Sequence, residues 1–208
     1  MKKISLLVLL SFLIVTTYSQ ELSKSKSNFK GGVRAGFTAT QISGDNLAGF
    51  NKLGAYAGAF TNFPVSKNSK WKLQLELNFI MKGSSTFKPK NSNAQIFNKY
   101  VLTLFYTETP LLVKYNLYKG LEVETGPSFN FLFATKEVDA MGDLHRSPFN
   151  IFELSYIVGV SYLIKEHWGI NLRWSTSVFP VRIPDWQYND NIKKQYNDVL
   201  AFSVYYQF

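Results

Sequence analysis

Any chemistry in this chain must be built from carboxylates, lysines and arginines, because more reactive side chains are scarce. It contains no cysteine and only two histidines, His145 and His167. Arg34, Glu76, Glu108, Lys114, Glu122, Glu124, Glu153 and Arg173 share a second property. Each sits in a segment of alternating apolar and polar residues, on the polar side, among Asn, Ser, Thr and Gly. Charges gathered on one side of several strands can neutralise one another in an interlocked core, since a buried charge persists only when paired and hydrogen-bonded. They can also line a path for protons or ions. Two acid pairs, Asp139 with Asp143 and Asp185 with Asp190, are the candidates for calcium. They lack the tight acidic spacing of a calcium loop and read as solvated loop charge. Gly31, Gly32 and Gly36 read as strand glycines that ease curvature, not as a phosphate cradle. The sequence calls for no metal and no cofactor.

The elements that must position these charges are strands. Trp71, Leu73, Leu75, Leu77, Phe79 and Met81 alternate with Lys72, Gln74, Glu76, Asn78, Ile80 and Lys82. Alternation of this length exceeds an average soluble strand and suits a tilted one that crosses a bilayer. Similar alternation recurs at Gly32–Ile42, Ala55–Phe63, Val101–Tyr115, Leu121–Ala134, Ile151–Ile164, Trp168–Val178 and Val199–Phe208. Eight strands, an even number, let an antiparallel sheet close on itself. An open edge in hydrocarbon would leave N–H and C=O groups unpaired at several kcal/mol each.

The front of the chain indicates export. Met1-Lys2-Lys3, the apolar run Ile4 to Val15, and Thr17-Tyr18-Ser19 before Gln20 form a secretory signal peptide, too short for a permanent spanning helix. The expected division is residues 1–19 signal peptide, 20–30 an N-terminal periplasmic segment, and 31–208 the barrel. Without Lys2 and Lys3 the 23 basic residues fall to 21, against 14 acidic. No basic helix, zinc spacing or RNA-binding aromatic signature accompanies this excess, so nucleic acid is excluded as a partner. Anionic lipid and lipopolysaccharide phosphate suit an exported basic chain better.

The connections alternate between short (Pro64–Lys70, Asn116–Gly120, Lys165–His167) and long (Ser43–Gly54, Gly83–Tyr100, Lys136–Asn150, Phe179–Asp198). Outer-membrane barrels sort their loops in this way, with short periplasmic turns, long external loops and both termini inside. The expected fold is all-β: an eight-stranded antiparallel up-and-down transmembrane barrel in the outer membrane of a Gram-negative bacterium, preceded by a signal peptide. Phe63, Trp71, Tyr115, Tyr162, Trp168, Tyr206 and Phe208 fall at the periplasmic ends on the lipid face, where amphipathic rings collect at headgroup level. On Ala55–Phe63 the alanines are placed toward lipid and Tyr56 and Phe60 inward, because the short turn pairs Phe63 with Trp71. Phe208 ends the closing strand, where the outer-membrane insertion machinery is expected to engage an aromatic residue.

An eight-stranded barrel is just wide enough to be filled by its own side chains. Reflection about Tyr118 sets Lys114 opposite Glu122, and reflection about Glu166 sets Arg173 opposite Gly159. The expected interior is thus a plugged polar network of Arg34, Glu76, Glu108, Lys114, Glu122 and Arg173; a narrow pore for ions or small solutes is the alternative. Outside, Gly83–Tyr100 carries Lys88, Lys90 and Lys99 and no acid, with Lys82 beneath. It reads as a solvated loop or a lipopolysaccharide contact. Phe179–Asp198 holds Pro180, Pro184, Trp186, Tyr188 and Tyr196, fitting a folded cap or a surface for a protein partner.

Several segments resemble the PorT-like outer-membrane β-barrel proteins of the Bacteroidetes. They are Gly32-Val33-Arg34-Ala35-Gly36-Phe37 followed by Ile42-Ser43-Gly44-Asp45, Glu76 before Lys82-Gly83, and Tyr106-Thr107-Glu108-Thr109-Pro110-Leu111-Leu112-Val113-Lys114-Tyr115. Gly126-Pro127 and Tyr206-Gln207-Phe208 complete the likeness. It covers nearly the whole mature chain and implies a membrane barrel; through the family's namesake it also implies a link to secretion of surface proteins. The chain is not similar to outer-membrane lipid hydrolases, which place a His and a Ser on one strand pair at the outer leaflet. Neither histidine occupies such a position, so no enzyme is expected.

Overall fold

The computed structural model describes residues 29–45, 49–65, 70–86, 100–139, 142–143, 148–183 and 193–208. Residues 1–28, which include the expected signal peptide, and His145, Asp185, Asp190, Lys88, Lys90, Lys99, Pro184, Trp186 and Tyr188 lie outside the described residues. The strands are β1 (Lys30–Ser43), β2 (Lys52–Pro64), β3 (Trp71–Ser85), β4 (Val101–Tyr118), β5 (Leu121–Asp139), β6 (Gly142–Asp143), β7 (Phe152–Leu163), β8 (Trp168–Ser177) and β9 (Tyr196–Gln207). Eight are long, and each pairs antiparallel with the next along the chain. β9 pairs with β1, which closes the ring. The two-residue β6 folds back on the end of β5. The result is a closed eight-stranded antiparallel up-and-down barrel.

The stagger of the ring follows from its pairings. From Trp71 the register passes through Tyr115, Val123, Val160, Leu172, Phe202, Phe37 and Ala55. Ala55 precedes Tyr56, the partner of Ile80, so the ring returns to β3 at Met81, ten residues above its start. For eight strands this shear corresponds to a tilt of about 40–45°.

Burial alternates as period two requires. On β3, Gln74, Glu76, Asn78, Ile80 and Lys82 are buried while Leu75, Leu77 and Phe79 are exposed. On β2, Tyr56 and Phe60 point in and Ala55, Ala57 and Ala59 point out. Two register expectations need correction. Phe63 pairs with Leu73, not Trp71; the Val65 N–H donates to the Trp71 carbonyl at 3.1 Å instead, adding a rung beyond Pro64. Lys114 lies opposite Glu124 rather than Glu122, because a bulge between Asn116 and Tyr118 shifts the pairing. Some strands also run further than alternation suggested. β5 continues to Asp139, toward the long loops, and β4 to Tyr118, toward the short turn, since ladder hydrogen bonds continue past the point where lipid demands an apolar face.

Candidate functional site

The interior is stratified along the barrel. In the half near the short turns, Lys114 Nζ lies 2.9 Å from Glu122 and 3.4 Å from Glu124, and Lys72 also reaches Glu122. Above them, the Arg173 Nε–H donates to Glu124, and both of its terminal nitrogens donate to Glu76 at 2.7 Å. Its Nη1 also donates to the Tyr56 hydroxyl at 3.0 Å. Arg34 approaches Glu76 at 3.1 Å and lies 5.1 Å over the Phe60 ring. Asn78 donates to Glu76 at 2.8 Å and Asn171 to Glu124 at 2.8 Å. Five of the six residues expected to form the interior network are thus joined in one chain of alternating charge. Gly159 makes room for it. It pairs with Arg173, and a Cβ there would stand 2.8 Å from Glu124 Oε1 and 2.9 Å from Arg173 Cγ.

The sixth, Glu108, stands apart. It is buried and accepts a hydrogen bond from Asn78 at 3.5 Å, with no ion pair among the described residues. Higher still, Lys82 Nζ lies 2.7 Å from Glu153 and 4.8 Å over the Tyr106 ring. Asn130 donates to the same carboxylate at 3.2 Å. Lys82 is therefore an interior partner, not the foot of the basic loop above it. The alternation on its strand already placed it inward, but nothing in the local pattern named Glu153 as its partner.

Toward the long loops an apolar cluster enters the interior among buried polar residues such as Thr40, Ser84 and Asn197, which the polar-interior expectation missed. Ile42, Leu102, Leu104, Val199 and Ala201 pack with Phe149 and Val181 in one buried cluster. Leu102 and Leu104 extend the inward face of β4 beyond its polar stretch. Val181 belongs to the long connection between β8 and β9, whose described part folds over the opening as a cap. The Val181 N–H donates to the Gln195 carbonyl at 2.8 Å, and the Gln195 N–H to the Arg182 carbonyl at 3.0 Å. Arg182 is 2 % exposed, pairs with Glu137 at 2.9 Å and lies 4.4 Å over Phe149. No periodicity marked Arg182, so sequence reading gave it no role.

The aromatic residues expected as a girdle gather at the short-turn end. Trp71 and Tyr115 are register partners with ring centroids 4.6 Å apart, and Trp168 and Tyr206 are partners at 5.1 Å. Phe63 meets Phe29 at 5.6 Å and Phe208 meets Tyr206 at 6.5 Å. Tyr162 is exposed beside Leu121. His167 stacks on Tyr206, and its Nδ1–H donates to the Gln207 carbonyl at 2.7 Å. Asp139 and Asp143 lie in the hairpin of β5 and β6. Among the described residues no cluster of three or more His, Asp or Glu could hold a metal, and no helix is long and apolar enough to cross a membrane.

Residues 18–181 match the model of the outer membrane protein beta-barrel domain family. The chain belongs to this family. The match is broader than the PorT-like group toward which the motifs pointed. Among solved structures, the outer membrane barrel is similar to Ail, the attachment invasion locus protein of Yersinia pestis, in complex with the heparin analogue sucrose octasulfate. That likeness has 9 % identity and a TM-score of 0.50, covering 87 % of this chain and 99 % of that one. It is also similar to Neisserial surface protein A, at 11 % identity and a TM-score of 0.50, covering 88 % and 98 %. At such identities the likeness concerns the fold alone. No curated protein sequence matches the chain.

Proposed function

We propose that this protein is a non-enzymatic, integral outer-membrane barrel with a closed interior, which acts through what its long loops contact. The observation that carries this reading is the filled lumen. Arg173 on β8 reaches Glu76 on β3, four strands away in either direction, and the apolar cluster and cap lie above that bridge. A charge so bound has no free valence for a passing ion, and the packed cluster and cap above it fill the space a hydrated ion would need. His167, engaged with Gln207 and Tyr206 at the rim, is no candidate base for a nucleophile. In this reading residues 1–19 are removed on export and both termini face the periplasm, as the alternation of short and long connections supports. Lipid and lipopolysaccharide surround the wall, and a protein partner meets the loops.

Planar-bilayer recording of the refolded protein tests the reading. No conductance above background is expected. A steady channel altered by Arg34→Ala or Arg173→Ala would replace it with a narrow pore for ions or small solutes. The PorT-like motifs favour a second role for the same closed barrel, as an accessory in secretion of surface proteins. Stable co-purification of envelope subunits from native membranes would support that role, and recovery of the barrel alone would refute it.

A further inference from the structure

On the outer wall, at the short-turn end, Leu121, Val160, Tyr162, Ile170, Leu172 and Phe202 line an apolar groove of about 310 Å³. That volume is at the lower end of what ligand sites occupy, roughly 300–1,000 Å³. The groove arises from residue size. Val160 and Leu172 are register partners of modest bulk, with the larger rings of Tyr162 and Trp168 standing below them. Its lower end opens onto two turns that are tied together, the Leu163 N–H donating to the Gly120 carbonyl at 2.9 Å. Those turns carry Lys119 and Lys165, both exposed. Lys119 Nζ lies 5.4 Å over the exposed Tyr118 ring. Glu166 is the one acid on these two turns.

We propose that this groove seats one acyl chain of an anionic phospholipid, whose phosphate is held by Lys119 and Lys165. An apolar slot that ends in two cations beside aromatic rings complements an amphiphile with a negative head and a hydrocarbon tail. It complements no soluble ligand, since the slot lies on the lipid-facing wall. Long lysine side chains reach a headgroup plane while their stems cover apolar surface, and tyrosine and tryptophan favour that depth. The proposal rests on the membrane-barrel reading above and adds a preferred lipid at one place on its circumference.

The test uses full-length protein carrying Trp71→Phe, Trp174→Phe and Trp186→Phe, so that Trp168 beside the groove is the sole tryptophan. It is refolded into phosphatidylcholine vesicles containing a minor share of lipid with brominated acyl chains, and quenching is recorded. Brominated phosphatidylglycerol should quench as though locally enriched at least about fivefold, the factor that each of the two lysines near an anionic headgroup can contribute. Brominated phosphatidylcholine should quench in proportion to its share. Lys119→Gln with Lys165→Gln should abolish the enrichment, and Val160→Phe, which fills the slot, should reduce it with both lysines present. Equal quenching by the two lipids, or enrichment that survives the lysine changes, overturns the proposal. If no brominated lipid quenches Trp168, the lipid-facing wall itself is refuted, a different failure from loss of headgroup preference.

Discussion

Arg173→Met should be among the most damaging single changes in the barrel. The arginine donates to Glu124, to both oxygens of Glu76 and to Tyr56, and it is 3 % exposed. Glu76 would keep Arg34 at 3.1 Å and Asn78 at 2.8 Å. Glu124 would keep Asn171 at 2.8 Å and a longer approach to Lys114 at 3.4 Å, so it loses most. Breaking a buried pair by removing one partner costs about 3–5 kcal/mol, because the other charge stays desolvated. Adding Glu124→Gln removes that charge and leaves Arg34 with Glu76, and Lys114 with Glu122. The double variant should therefore recover most of the loss, with a coupling of about 2–3 kcal/mol in a double-mutant cycle. Urea titration of protein refolded in vesicles, followed by tryptophan fluorescence and by heat-dependent gel migration, reads both numbers. A single-variant cost below about 1 kcal/mol, the scale of an exposed pair, would refute the reasoning. So would a double variant no more stable than the single one.

Three further outcomes are expected. Gly159→Ala should cost about 1–3 kcal/mol in the same titration, since its Cβ meets Glu124 and Arg173 inside a full lumen; Gly31→Ala should be milder, because the Phe208 ring it meets can swing toward lipid. Leu77→Arg, 60 % exposed midway along the wall, should lower folding stability by about 2–4 kcal/mol, whereas Leu53→Arg near the long-loop rim should cost about 1 kcal/mol or less. Arg182→Ala should loosen the cap and speed tryptic cleavage at the exposed Lys193 and Lys194 several-fold without lowering the urea midpoint of the wall, as sub-global opening requires; an unchanged cleavage rate would mean that Glu137 and Phe149 do not hold the cap.

Legibility of the sequence followed the reach of its periodicity. Alternation specified which residues of Trp71–Lys82 face in, and even the ambiguous β2 came out with its alanines outward, because a one-residue slip would have turned Tyr56 and Phe60 to lipid. Pair reflection found Arg173 opposite Gly159, where the turn is regular, and erred by one rung pair at Lys114, where a bulge intervenes. Contacts across the lumen were not legible. Nothing in local pattern says that Arg173 and Glu76, 97 positions apart, will meet, nor that Lys82 will prefer Glu153. A cap was one of two readings of Phe179–Asp198, but the residues that build it were legible least, since Val181 and Arg182 lie in a connection without period, and their burial depends on a wall supplied by distant strands.

The cross-lumen contacts also bear on how the ring closes. Arg173 with Glu76 joins β8 to β3, and the hydrogen bond from Asn197 to the Tyr106 hydroxyl at 3.4 Å joins β9 to β4. Both pairs of strands face each other across the barrel, so neither contact exists in an open sheet. Before closure Glu76 and Arg173 lack each other; after it they are joined through both oxygens of the carboxylate. A register slip would leave them unpaired on the lipid wall, at several kcal/mol per charge. A polar interior is therefore costly to every arrangement except the closed ring in its native register. The apolar cluster at the other end makes no such distinction, since Leu102 or Val199 loses little by contacting lipid instead of Ile42. The ionic layer selects the arrangement and the apolar layer adds burial to it, which is why the Arg173 cycle, rather than a cavity in the apolar layer, tests how this barrel is specified.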